Sequence, residues 1–374
     1  MRMKKIGISN YAANFNILEI SMKWNEYESN YIRMARLNNR SDEYCVHQLE
    51  YAKKLFDNHL PIIYNQQHLC KLVGYQEGYV YAVANQSWSF YKIFQIPKKN
   101  GGFRTIQEPL PSLKEIQEWI YHEILCNVRI SPYAKAYVKG KSIKDNARFH
   151  RGQKKVLSMD LKDFFPSIDF KQVLGVFRKL GYRENVAVML AKLCCVNNSL
   201  PQGAPTSPAL SNIIACKLDD KIVEYIGKKK IRYTRYADDL TFSGDFNEGD
   251  IIKNVQRIAN RLGFYVNEEK TRVRKRNQRQ EVTGVVVNEK LQLSRKIRKR
   301  IRSDIYYIRK YGLESHLEYT DEKRENYLYH LIGMVSYGVF INPYDEKLKE
   351  YRSYLNNLLR TRSNIRVPGT IKSE

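Results

Sequence analysis

The segment Ile231-Arg232-Tyr233-Thr234-Arg235-Tyr236-Ala237-Asp238-Asp239-Leu240-Thr241-Phe242-Ser243 decides how this chain is read. Aromatic and β-branched residues alternate with polar ones on both sides of Ala237-Asp238-Asp239. That pattern predicts two short strands, 231–236 and 240–243, folded back about a tight centre. An Asp-Asp pair in a turn is ordinarily turn chemistry and nothing more. Here the pair has company. The apolar run 156–159 predicts a third strand, which ends at Asp160. Strands laid side by side would bring Asp160, Asp238 and Asp239 to one edge.

Bulk properties narrow the function. A length of 374 residues suggests two or three packed units. A net charge of +25 does not suit an ordinary small-molecule enzyme. Such a chain attracts polyanions, nucleic acid first; a ribosome-like or membrane-surface protein is the plainer alternative. Tyr outnumbers Trp by 28 to 3, and tyrosine both stacks on bases and donates to phosphate. The six cysteines form no CxxC pair and no His/Cys ligand spacing, which argues against zinc. Reduced thiols and a cytoplasmic location are expected. No stretch approaches the ~20 apolar residues of a membrane span, and no signal peptide is visible, so no membrane partner is expected.

Working outward, residues 1–75 read as a helical extension with no chemistry attached; 45–60 carries apolar residues at helical intervals. Residues 90–97 and 103–106 alternate as strands around the basic turn Lys98-Lys99-Asn100-Gly101-Gly102. Residues 112–126 predict an amphipathic helix, 173–195 helical pieces, 207–218 and 250–262 further helices, and 281–288 a single strand. After Leu293 the character changes. Ser294 can cap a helix in which Ile297, Ile301, Ile305 and Ile308 form one apolar stripe. Its other faces carry Arg295, Lys296, Arg298, Lys299, Arg300, Arg302, Arg309 and Lys310 against a single Asp304.

Nucleotidyl transfer at a two-metal site demands carboxylates. Two magnesium ions about 4 Å apart must clamp the attacking and leaving oxygens. Magnesium takes oxygen ligands and keeps water and phosphate oxygens in its shell, so a few aspartates on rigid elements suffice. Asp160, Asp238 and Asp239 meet that requirement.

The motifs around them resemble those of reverse transcriptases. Tyr236-Ala237-Asp238-Asp239 resembles the YxDD box, and Asp160-Leu161-Lys162-Asp163-Phe164-Phe165 the first aspartate motif. Between them stands Leu200-Pro201-Gln202-Gly203-Ala204-Pro205-Thr206-Ser207-Pro208, similar to the intervening motif. Gly263-Phe264-Tyr265-Val266-Asn267-Glu268-Glu269-Lys270-Thr271 resembles the following one, and the segment 98–106 the fingers hairpin. The resemblance implies an α+β right-hand polymerase fold: fingers and palm over 76–290, a basic helical thumb over 291–374. It implies Asp160, Asp238 and Asp239 as metal ligands, with the Leu161 carbonyl as a further one. It places Lys98, Lys99 and Arg104 on the triphosphate, Gln202 on the nucleotide or template, Phe165 against a ribose 2′-OH, and Lys270 near the leaving pyrophosphate.

Two smaller signatures resemble those of retron reverse transcriptases: Asn146-Ala147-Arg148-Phe149-His150 as NAxxH, and Val282-Thr283-Gly284 as VTG. Asn146 and His150, four apart on a helix, could instead simply bond to each other or to backbone. The retron resemblance implies a partner non-coding RNA, priming from an internal guanosine 2′-OH, dNTP substrates and branched msDNA as product. It also implies anti-phage defence with a separate effector protein. Asn146, His150, Val282, Thr283, Gly284, Arg295, Lys296, Arg298, Lys299 and Arg302 are the expected RNA contacts, helped by the basic stretch 270–279. The sequence after the thumb leaves little room for an intron-type endonuclease, and no RNase H domain is recognisable. A diversity-generating or abortive-infection enzyme, and a catalytically silent RNA-binding scaffold, are the competing readings.

Overall fold

The computed structural model describes residues 23–98, 101–227 and 229–365. Lys99 lies outside them. In chain order the elements are α1 (Trp24–Leu37), α2 (Asp42–Asp57), α3 (Gln66–Val73), α4 (Glu77–Asn85), β1 (Tyr91–Pro97), β2 (Phe103–Pro109), α5 (Pro111–Glu123), α6 (Ile143–Phe149) and β3 (Lys155–Lys162). Next come α7 (Phe170–Lys179), α8 (Glu184–Cys194), α9 (Ser207–Ile226), β4 (Arg232–Tyr236), β5 (Asp239–Gly244), α10 (Glu248–Arg261) and β6 (Tyr265–Lys275). The short strands β7 (Glu281–Val282) and β8 (Val285–Val286) precede α11 (Arg295–Tyr311), α12 (Leu313–Tyr319), α13 (Tyr327–Ile341) and α14 (Glu346–Ile365). Helices together with antiparallel strand pairs make the chain α+β.

Local chemistry sets many of the boundaries. Ser41 and Asn65 accept hydrogen bonds from the third backbone N–H beyond them and start α2 and α3. Pro111 opens α5, where its missing N–H costs nothing. Ser142 with Asp145, and Asp169 with Gln172, form reciprocal capping boxes at α6 and α7.

The chain divides into two units. The first comprises residues 1–137, 161–225 and 252–267. Its core includes Leu69, Val80, Val83, Leu113, Ile116, Ile120, Val186 and Leu190, all fully buried. Gln117 crosses that core, its amide donating to the Leu193 carbonyl at 2.8 Å and to the Tyr91 hydroxyl at 2.8 Å. The β1–β2 hairpin pairs Tyr91 with Pro109 through to Pro97 with Phe103. The turn before α9 rests on this hairpin: Gln107 N–H donates to the Gln202 carbonyl at 2.9 Å. The approach leaves no room for a side chain at Gly203, where φ is +138° and an added Cβ would stand 2.7 Å from the Gln107 carbonyl oxygen.

The second unit comprises 138–160, 226–251 and 268–374. It holds the carboxylate hairpin in a four-stranded sheet of order β4-β5-β3-β6. β5 pairs antiparallel with β4 on one side and β3 on the other. One apolar core runs from Val156 and Ala147 through Val282, Val285 and Val287 to Ile301, Ile305, Ile308, Leu331 and Val335. Two expectations change here. The single strand over 281–288 is instead a minimal hairpin, because Thr283 and Gly284 both take positive φ, +46° and +83°, and fold β8 back on β7. The isoleucine stripe of α11 is shorter than expected, since Ile297 is exposed while the other three are buried.

Gly203→Ala should lower the melting temperature measurably, by about 1–3 kcal/mol of stability, since both the backbone angle and the Gln107 carbonyl oppose a Cβ. An unchanged thermal melt would show that the turn can move off β2 freely.

Candidate active site

The candidate site grows from one rung of the sheet. Tyr236 pairs with Asp239, leaving only Ala237 and Asp238 to turn the chain. So short a turn forces Ala237 to a φ of +57°, a region that costs an L-residue energy. The same tightness puts Asp239 on the first rung of β5 and Asp238 beside it in the turn. On the other side of β5, Asp239 faces Asp160 in register on β3. Directly opposed residues of an antiparallel pair point to the same face, so the two carboxylates are neighbours.

That closeness shows in the electrostatics. Burial pushes the Asp239 carboxyl up to about 7, and the charges of Asp238 and Asp160 push the same way; Lys270 partly offsets them. Lys270 comes from β6, the strand beyond β3. Its ammonium donates to both oxygens of Asp160, at 3.0 and 2.9 Å, and this hydrogen bond holds its pKa above the usual lysine value. Asp160 is 9% exposed.

Among the described residues, no three His, Cys, Asp or Glu side chains close into a ready-made metal cage. The donor set is oxygen-only and small, and burial with the crowding of Asp238 and Asp160 raises the Asp239 carboxyl, as a site short of positive charge would. This is the composition a hard divalent cation requires when it completes its shell with water and phosphate oxygens. The residues therefore fit such an ion.

Within the first unit, Gln202 and Phe165 are half-buried, and Lys98 and Arg104 are exposed on the β1–β2 hairpin. Gln202 is joined to that hairpin by its backbone, and the Phe165 ring lies 6.3 Å from that of Tyr137. Leu161, next to Asp160, is buried.

The two small signatures meet in the second unit. Asn146 and His150 are fully buried, so neither is available to touch RNA directly. Nor do they bond to each other. The Thr234 hydroxyl donates to Asn146 Oδ1 at 2.6 Å, and His150 Nε2 is 2.8 Å from the same hydroxyl oxygen. His150 Nδ1 lies 2.7 Å from the Ser243 hydroxyl, and the Asn146 amide donates to Thr283 Oγ1 at 3.4 Å. Val282 is buried, Thr283 half-buried and Gly284 exposed. Thr234 and Ser243 escaped the sequence reading. The signal was there: polar residues at positions where a strand on a buried face normally carries Val or Ile.

On α11, Arg295, Lys296, Lys299 and Arg302 are exposed. Arg298 is half-buried and already engaged: its guanidinium donates to Gln292 at 2.9 Å and pairs with Asp345 at 3.1 Å. None of the described helices is long and apolar enough to cross a membrane.

Residues 96–287 match the family model described as reverse transcriptase (RNA-dependent DNA polymerase). The chain is 38% identical over 275 residues to the retron Mx65 reverse transcriptase of Myxococcus xanthus, covering 68% of this chain and 62% of that protein. It is 39% identical over 228 residues to the retron Ec86 reverse transcriptase of Escherichia coli, covering 58% of this chain and 70% of that one. Against the retron Ec83 reverse transcriptase of the same organism, identity is 32% over 274 residues, with 68% and 83% covered. The chain thus spans less than two thirds of the Mx65 protein and more than two thirds of the two Escherichia coli proteins. Among solved structures, telomerase from Candida albicans aligns with a TM-score of 0.44 at 13% identity, over 71% of this chain and 57% of that one.

A raised carboxyl pKa in the folded state favours folding while the group is protonated. For Asp239 that contribution is complete below the unfolded value of 3.8 and is lost as pH climbs through about 7. In chelator, the melting temperature of the wild type should therefore fall from about pH 5 to 8 relative to Asp239→Asn. Parallel melting profiles for the two proteins would refute this.

Proposed function

The chain belongs to the retron reverse transcriptases, and from that membership we propose that it copies part of a partner non-coding RNA into DNA at Asp160, Asp238 and Asp239. The observation that carries this reading is the Asp160–Asp239 rung with Asp238 in the adjoining turn. Family membership brings the right-hand polymerase fold. In the proposed division, residues 1–75 form a helical extension, 76–290 the fingers and palm, and 291–374 the thumb.

Reverse transcriptases use divalent metal ions. Two Mg2+ ions are proposed here, held by Asp160, Asp238 and Asp239 with the Leu161 carbonyl. When bound, they would neutralise phosphate charge and activate the attacking hydroxyl. The rest falls to side chains. Lys98, Lys99 and Arg104 spread the negative charge of the dNTP triphosphate. Gln202 orients the nucleotide or template. Phe165 fills the space a ribose 2′-OH would need. Lys270, which the Asp160 hydrogen bond holds beside the carboxylates, would protonate or pair with the departing pyrophosphate.

The substrate is proposed to be an RNA that primes from an internal guanosine 2′-OH, giving branched msDNA. Its recognition falls to the exposed part of the Val282-Thr283-Gly284 turn and to Arg295, Lys296, Lys299 and Arg302, whose charges suit a phosphate backbone. Asn146 and His150 serve from behind that surface. A cytoplasmic location and a role in anti-phage defence beside a separate effector protein complete the proposal.

Asp238→Asn or Asp239→Asn should abolish branched DNA in cells that carry the gene with its flanking DNA. Normal msDNA from either variant would overturn the assignment. Phe165→Ala should relax sugar selection by about tenfold or more in the dGTP-to-GTP ratio of kcat/KM. An unaltered ratio would remove Phe165 from that role.

A further inference from the structure

The turn Thr283-Gly284 is built against local preference. Positive φ at both positions of a two-residue hairpin favours Asn, Asp or Gly at the first. Thr283, at φ +46°, is β-branched and is strained there. Such strain persists where the surroundings over-determine it, and it points to a use for the side chain. What Thr283 offers is its hydroxyl oxygen, which accepts from the Asn146 amide at 3.4 Å.

From Asn146 the hydrogen bonds continue without a break. Thr234 has one hydroxyl proton, and it goes to Asn146 Oδ1. His150 Nε2 must then donate to the Thr234 oxygen, which leaves Nδ1 to accept from the Ser243 hydroxyl. The series is Thr283, Asn146, Thr234, His150, Ser243. It starts at the surface and ends on both strands of the carboxylate hairpin, and its last four members are at most 1% exposed.

Register places its end on the carboxylate face. Thr234 pairs with Thr241, and Ser243 with Val156. Counting by twos, Thr241 and Ser243 share a face of β5 with Asp239. Thr234 lies on that face of β4, and Val156 on that face of β3 with Asp160. β3 contributes Val156 and Ser158 to this layer, and the hairpin contributes Thr234, Thr241 and Ser243. Lys144 anchors the same helix, α6, to the end of α13 by donating to the Phe340 carbonyl at 2.7 Å.

We infer that Asn146 and His150 are positioning residues, which fix the Val282–Gly284 turn and the Asp238–Asp239 hairpin to one another as a single hydrogen-bonded unit. The two signatures are then one device: the surface proposed to meet RNA and the strands that aim the carboxylates cannot shift independently. This rests on the polymerase reading above.

The test is steady-state incorporation of dTTP on poly(rA)–oligo(dT) with Mg2+, using the full chain. Thr234→Val and Thr283→Val should each lower kcat by about tenfold, with KM for dTTP and for template changed by less than about twofold. Thr234→Ser, which keeps the hydroxyl, should restore kcat. Thr283→Val at wild-type kcat, or with its defect confined to template KM, overturns the proposal, because Thr283 would then be an RNA contact alone. Thr234→Ser as impaired as Thr234→Val overturns it too. Thr283 lies in a surface turn, so its variant decides the matter if Thr234→Val does not fold. A wild type that incorporates no dTTP would bring down the polymerase reading itself, and this inference with it.

Discussion

Two carboxylates opposed on one rung of an antiparallel pair are a liability. Asp160 and Asp239 repel each other, Asp238 adds to the repulsion, and partial burial denies them the screening of water. Like charges opposed in a sheet are normally selected against. Their presence requires that the surrounding structure hold them and that something positive meet them. In the protein alone, Lys270 of β6 does so, straddling both oxygens of Asp160. The outer position of β6 in the sheet therefore matters to the site: β6 brings a cation to the β3 side of the rung, while β4 supplies the turn on the other.

Holding the carboxylates is the work of the layer behind them. The face that displays Asp160 and Asp239 continues into Ser158, Val156, Thr234, Thr241 and Ser243, and α6 is bonded to that layer through Asn146 and His150. A wholly apolar layer would pack well but would tolerate sliding. Fully satisfied buried hydrogen bonds specify a register, and the imidazole, bonded at both ring nitrogens, ties two strands at once. The same core reaches Ile301, Ile305 and Ile308 of α11, so the basic helix grows from the unit that carries the carboxylates.

How much of this could be read in advance depended on the range of the interaction. The β1–β2 and β4–β5 hairpins, β3, α5 and α11 follow from residues close in sequence, and they stand about where alternation, Gly101-Gly102, Pro111 and Ser294 place them. The break at Thr283-Gly284 was hidden because threonine normally argues for a strand; a buried asparagine 137 residues away offers it a partner. The burial of Asn146 and His150, the pairing of Lys270 with Asp160 and the engagement of Arg298 by Asp345 are likewise non-local. Each involves a polar residue whose partner only the fold supplies. The residues on which the proposed reaction rests were thus legible in sequence, whereas the burial and bonding of the two small signatures were not.

The division of charges on α11 carries the same lesson one step further. Arg298 is tied to Gln292 and Asp345, Arg300 to Asp304, and Arg309 to Glu350 with its guanidinium over the Tyr354 ring. Arg298 and Arg309 fasten the helix to α14 and the residue before it, while the Arg300 pair lies within α11 itself. Arg295, Lys296, Lys299 and Arg302 stay exposed along the first turns. A charge already matched by a carboxylate releases few counterions when a phosphate arrives, whereas an unmatched one contributes to binding and to its salt dependence. The basic charges of the helix therefore fall into two groups: Arg298 and Arg309 build the unit, and the exposed ones near Ser294 leave a positive potential at its surface.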